Sequence, residues 1–178
     1  RNYGKEAQRS NIAAAKAIAG AVKSTLGPRG MDKMLVDSTG DIVITNDGAT
    51  ILSEIAVQHP GAKMVIEVAH TQDDEVGDGT TNAVILVGDM MEQAESMLEK
   101  GIQPTVIAEG YRMGMEKALE IVNGLSLKVD PADRKTLLKI ADTAITGKSI
   151  EQVKGKLDGI IVDAVMTVAE KVNGKMTV

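Results

Sequence analysis

Gly77-Asp78-Gly79-Thr80-Thr81 is the stretch on which the reading of this sequence turns. Two glycines flank an acid, and two hydroxyl residues then open an apolar run. Glycine lets a backbone approach a ligand closely, and a helix that starts here presents unpaired N–H groups to an anion. Thr80 and Thr81 suit a helix cap or a phosphate oxygen. Asp78 offers a hard oxygen ligand, the kind that holds Mg²⁺ together with substrate phosphates. A tight loop with an ordinary threonine cap uses the same residues equally well. As a fixed string, however, it is specific: at average composition it arises by chance in a chain of this size with a probability on the order of 10⁻⁴.

Upstream, Ile12, Ala15, Ala19, Val22 and Leu26 recur at three- and four-residue steps, which predicts a helix from Gly4 to Leu26. Gly27-Pro28 stops it, and Leu26-Gly27-Pro28-Arg29-Gly30 is a loop. That loop reads either as a backbone wall against a ligand or as a plain helix end, with Arg29 in solvent. Met34–Val36 and Ile42–Thr45 are short β-type runs around a Ser38-Thr39-Gly40-Asp41 turn, which predicts a hairpin. Asn46-Asp47-Gly48 is a further turn. There Asp47 either orients an attacking water, as a hydrolase needs, or caps the turn's own N–H groups.

Downstream the pattern is helical. Helices are expected at about 49–57, 61–73, 80–99, 104–123, 132–144 and 150–172, with Pro60 and Pro104 at helix starts where a missing N–H costs little. Leu125–Pro131 reads as a connector and a domain boundary. Lys175–Val178 reads as the opening of a strand, which suggests a chain that is part of something longer. Thr146-Gly147-Lys148-Ser149 resembles a P-loop only superficially, because Asp142 stands where that motif requires glycine. Lys148 reads as an exposed turn residue or as a point charge for a terminal phosphate. Asp73-Asp74-Glu75 reads as a solvated helix end, His59 and His70 as surface or partner contacts, and Met90, Met91, Met97, Met113 and Met115 as core filler.

Composition narrows the class. With two Tyr and no Phe or Trp, the core must be aliphatic, and abundant Ala and Gly suggest helices packed backbone to backbone. The absence of Cys excludes disulfides and thiolate metal sites, and two His are too few for a His-based zinc centre. A net charge of −5 gives no basic footprint for nucleic acid. No apolar run approaches a membrane span, and the opening residues do not read as a signal peptide. The expectation is a cytosolic protein, with no nucleic-acid or membrane partner.

The order of these elements is more telling than any one of them. Leu26-Gly27-Pro28-Arg29-Gly30 is followed by Met31-Asp32-Lys33-Met34-Leu35-Val36-Asp37, a Gly40-Asp41 turn and Ile44-Thr45-Asn46-Asp47-Gly48-Ala49-Thr50-Ile51-Leu52. Then come His59-Pro60-Gly61-Ala62-Lys63-Met64, Val76-Gly77-Asp78-Gly79-Thr80-Thr81 and Ala144-Ile145-Thr146-Gly147-Lys148. Over essentially its whole length the sequence resembles the group II chaperonins, the archaeal thermosome branch most nearly. Asn82, Gly61 and Gly114 depart from the residues most often found in the family at those places.

The resemblance implies a mainly α fold: a chaperonin equatorial-domain helical bundle with a small β-hairpin over residues 1–127, and a helical intermediate-domain segment over 128–178. The apical domain and the C-terminal halves of both domains would lie outside this chain. It further implies a chaperonin ATPase that uses ATP/ADP and Mg²⁺. Leu26, Gly27 and Pro28 would line the nucleotide, Asp78 would bind Mg²⁺, and Gly79, Thr80, Thr81 and Asn82 would hold phosphate. Asp47 would activate water, and Lys148 would sense the terminal phosphate. The implied partners are other chaperonin subunits in a double ring and unfolded protein substrates. The family's second hydrolytic aspartate and its base-binding segment fall beyond this sequence, so binding is expected more firmly than turnover. The alternatives are a non-hydrolysing structural or interaction module and a small-molecule phosphotransferase, the latter without a visible second-substrate pocket or base.

Overall fold

The computed structural model describes residues 3–27, 29–37, 39–146, 154–172 and 175–177. Its described elements are α1 (Gly4–Lys23), β1 (Lys33–Val36), β2 (Ile42–Thr45), α2 (Gly48–Glu54), α3 (Pro60–Val76), α4 (Thr80–Glu99), α5 (Pro104–Leu125), α6 (Arg134–Ile145), α7 (Lys154–Val168), β3 (Glu170–Val172) and β4 (Lys175–Thr177). The fold is mainly α, as expected. The chain divides into two compact units, Arg1–Leu119 and Glu120–Val178.

In the first unit, the apolar faces of α1, α2, α3 and α4 meet in one core. Ala15, Ile18, Ala19, Val22, Ile51, Leu52, Ala62, Val65, Ala69 and Val84 are buried together. None is aromatic, so the core fills by bringing backbones close. One close approach is between α1 and α4, where a Cβ on Gly88 would stand 2.2 Å from the Ala19 Cβ. Polar contacts flank this seam: Lys16 Nζ donates to Glu95 Oε2 at 2.8 Å, and Lys23 pairs with Asp89 at 3.7 Å. The bond to Glu95 raises the Lys16 ammonium above the usual lysine range. These contacts run against each other in sequence, so α1 and α4 are antiparallel. On α5, the Tyr111 hydroxyl donates to the Met90 carbonyl of α4 at 2.6 Å. Of the methionines expected as core filler, Met91 packs against the core, whereas Met113 and Met115 are exposed on α5.

The hairpin pairs Lys33 with Thr45 and Val36 with Ile42. Asp37 closes its turn by accepting from the backbone N–H groups of Thr39 and Asp41.

Several boundaries differ from expectation for local reasons. Helix α1 ends at Lys23 rather than Leu26 because Thr25 turns back on it, its amide and hydroxyl both donating to the Val22 carbonyl. Helix α2 ends at Glu54 because Ile55 is extended, which lets Ile55 and Val57 reach the core. Helix α3 starts one residue earlier than expected because His59 caps it: Nδ1 accepts from Gly61 N at 3.1 Å. The other ring nitrogen, Nε2, then carries the proton and donates to Ser10 Oγ at 3.0 Å. His59 therefore ties the start of α3 to α1, a role more specific than the expected surface contact.

In the second unit, Asp133 caps α6 by accepting from the amides of Lys135 and Thr136, and Arg134 pairs with Asp163 of α7 at 2.8 Å. The helix expected over 150–172 is described only from Lys154 to Val168. Glu170–Val172 is instead a strand paired antiparallel with Lys175–Thr177. In the sequence Asn173-Gly174 lies between the strands, a pair of residues that favours a tight hairpin over helix continuation.

Gly88→Ala should destabilise the first unit by about 1–3 kcal/mol, because Ala19 has no flexible end to move aside. Adding Ala19→Gly returns the missing space, so the double variant should unfold in denaturant closer to the parent than Gly88→Ala alone does.

Candidate functional site

Three connections gather at one end of the first unit. The antiparallel α1–α4 pairing brings the end of α1 to the start of α4. The Ser10–His59 contact sets the starts of α1 and α3 together, so α3 ends at that same end. From α3 the chain passes through Gly77-Asp78-Gly79 directly into α4. The start of α2 joins them, since a Cβ on Gly48 would lie 2.5 Å from Thr81 Oγ1, 3.0 Å from Thr81 N and 3.1 Å from Thr81 Cα. The β2–α2 turn and the α3–α4 loop are therefore neighbours, and the antiparallel run of α1 and α4 directs the loop after α1 toward the same end.

The α3–α4 loop is built on left-handed backbone. Gly77 (φ 71°) ends α3, its amide donating to the Asp73 carbonyl at 2.8 Å, and Gly79 (φ 79°) precedes α4. Both conformations suit glycine and strain residues with a Cβ. Gly79 has no side chain with which to cap α4, so the helix opens without a side-chain cap. The first-turn N–H groups of a helix have no partner within it, and an anion is a natural one. Thr80 is buried, Thr81 half-buried, and Asp78 and Asn82 are exposed at the rim. Asp78 Oδ1 accepts from Gly79 N at 2.8 Å. Gln72 Nε2 donates to the Asp78 carbonyl at 2.8 Å.

Asp47 is half-buried at the start of α2, where its Oδ2 accepts from both Thr50 N and Thr50 Oγ1 at 2.8 Å. The capping use of Asp47 is thus the one the geometry displays, through a single oxygen. After α1, Gly30 N donates to the Gly27 carbonyl at 2.9 Å and Met31 N to the Ser24 carbonyl at 2.9 Å, folding the loop tightly. Gly27 (φ 84°) and Leu26 are exposed, with open space where a Gly27 Cβ would be. Pro28 and Lys148 lie outside the described residues.

Leu26, Gly27, Asp47, Asp78, Gly79, Thr80, Thr81 and Asn82 therefore share one end of one unit. Sequence reasoning missed Gln72, because nothing in its neighbourhood marks a residue six positions before Asp78 as reaching across the loop. Among the described residues, no group of three or more His, Asp or Glu side chains could by itself hold a metal ion. A cation here would need ligand oxygens from elsewhere, which fits Mg²⁺ carried by phosphates and one carboxylate.

A helical bundle without Phe or Trp, with a small hairpin and an uncapped glycine-aspartate loop at a helix start, defines a recognisable class. Residues 18–178 match the TCP-1/cpn60 chaperonin family, and the chain belongs to it. It is 59% identical over 178 residues to thermosome subunit alpha of Archaeoglobus fulgidus, covering 100% of this chain and 33% of the relative. It is 54% identical over 178 residues to the thermosome subunit of Methanopyrus kandleri, again 100% and 33% of the two chains. With thermosome subunit alpha of Methanothermobacter thermautotrophicus the identity is 58% over 170 residues, 96% of this chain and 31% of the relative. The chain thus spans about a third of the length of the curated relatives it matches.

Gly48→Ala should separate α2 from α4 and lower stability by about 1–3 kcal/mol in denaturant unfolding. Adding Thr81→Ala should recover only part of the loss, because Thr81 N and Cα stay in the way.

Proposed function

We propose that this chain is the nucleotide-binding part of an ATP-dependent chaperonin subunit. The observation that carries the reading is the α4 start: Gly79 leaves the helix without a side-chain cap, Asp78 stands beside it, and the start of α2 packs against Thr81. In this reading residues 1–127 are the N-terminal part of an equatorial domain and 128–178 the N-terminal part of an intermediate domain.

The amides at the start of α4 hold phosphate oxygens, with the Thr80 and Thr81 hydroxyls and the Asn82 amide as further donors. Asp78 is the protein ligand of Mg²⁺, which when bound offsets phosphate charge. Leu26, Gly27 and Pro28 line the nucleotide, ATP before hydrolysis and ADP after it. Asp47 orients the attacking water, using the carboxylate oxygen that does not cap α2. Lys148 places a positive charge near the terminal phosphate. The subunit assembles with others in a double ring and assists folding of unfolded proteins in the cytosol.

A second reading is a structural or interaction module with no turnover. Calorimetric titration of the chain with Mg·ATP separates the two. Heat of binding supports the first reading, and none supports the second. In the intact subunit, Asp78→Ala should abolish Mg²⁺-dependent ATP turnover, and unchanged turnover would remove Asp78 from the site.

A further inference from the structure

We propose that Gln72 is a positioning residue that fixes the Asp78–Gly79 peptide, and through it the Asp78 carboxylate, for cation binding. The inference rests on the reading of Asp78 as the Mg²⁺ ligand and adds a residue to it. Gln72 is half-buried near the end of α3, and Asp78 is exposed. Its side-chain Nε2 donates to the Asp78 carbonyl at 2.8 Å, and its own carbonyl accepts from Gly77 N at 3.3 Å. A carbonyl can only accept, so the amide group facing it must be the NH₂.

The Asp78–Gly79 peptide is then held at both edges. Its oxygen is drawn toward α3 by Gln72, and its N–H is turned to Asp78 Oδ1 at 2.8 Å. Such a hold is needed here. The peptide turns by changing ψ of residue 78 and φ of residue 79, and glycine at 79 tolerates either sign of φ. A carboxylate that turns to a cation also loosens its own grip on Gly79 N. Gln72 is the partner that keeps the peptide in register when that happens. Without it, cation binding must also order the loop, which weakens binding. In this proposal Gln72 acts only through Asp78 and Gly79.

Two variants test this in the intact subunit. Gln72→Met keeps the length without a donor, and Gln72→Glu keeps the shape but faces the carbonyl with acceptors. The readouts are the Mg²⁺ concentration for half-maximal turnover at saturating ATP and the thermal unfolding midpoint. Both variants should raise the Mg²⁺ requirement about tenfold or more, the range seen when a group orienting a metal ligand is removed. Gln72→Glu should be the worse, and neither should shift the midpoint appreciably. A parental Mg²⁺ requirement in both variants overturns the proposal. So does a raised requirement that tracks a lowered midpoint in both, because Gln72 would then serve stability alone. Asp78→Ala is measured alongside. If it keeps Mg²⁺-dependent turnover, the site reading and this inference fall together. If it loses turnover while the Gln72 variants behave as the parent, only the role of Gln72 falls.

Discussion

The contact of Ala19 with Gly88 governs the first unit. With no Phe or Trp and only two Tyr, the core has no large plates with which to span wide gaps between helices. Small residues let α1 and α4 approach closely instead, and the Lys16 and Lys23 ion pairs flank the seam. The antiparallel run of that seam decides which ends meet. It brings the α1 exit loop to the α4 start, and the Ser10–His59 bond adds the end of α3. The site is thus a product of helix direction more than of any local loop motif.

The two acids at this end are held in different ways. Asp47 closes the first turn of α2 through Oδ2, which fixes the side chain without using both oxygens. A carboxylate held this way is already ordered, so little conformational freedom remains to be lost when it acts on a neighbour. Asp78 is the reverse case: exposed, and held through Gly79 and Gln72 rather than by packing.

Much of this was legible in the sequence. The helix over Thr80–Glu99 and the strand Ile42–Thr45 fall where periodicity and turn residues place them. The tight helix packing follows from the Ala and Gly content. What stayed hidden depends on contacts between distant residues. The His59 link to Ser10 spans 49 positions, and the Gln72 bond crosses a loop no pattern marks. The early end of α1 turns on a single Thr25 hydroxyl, and a three-residue strand at Glu170–Val172 is too short to outweigh a preceding helical pattern. The approach of the α2 start to Thr81 was likewise hidden, because spacing in a sequence does not encode helix direction.

The bond from Tyr111 to the Met90 carbonyl has an optical consequence. Only two side chains in the molecule absorb appreciably near 280 nm, and the other, Tyr3, is exposed in the fold as it would be in an unfolded chain. Any change in intrinsic emission on unfolding therefore reports Tyr111, and so the junction of α4 with α5. The loops where a ligand is expected carry no chromophore. A rearrangement confined to them would be spectrally silent.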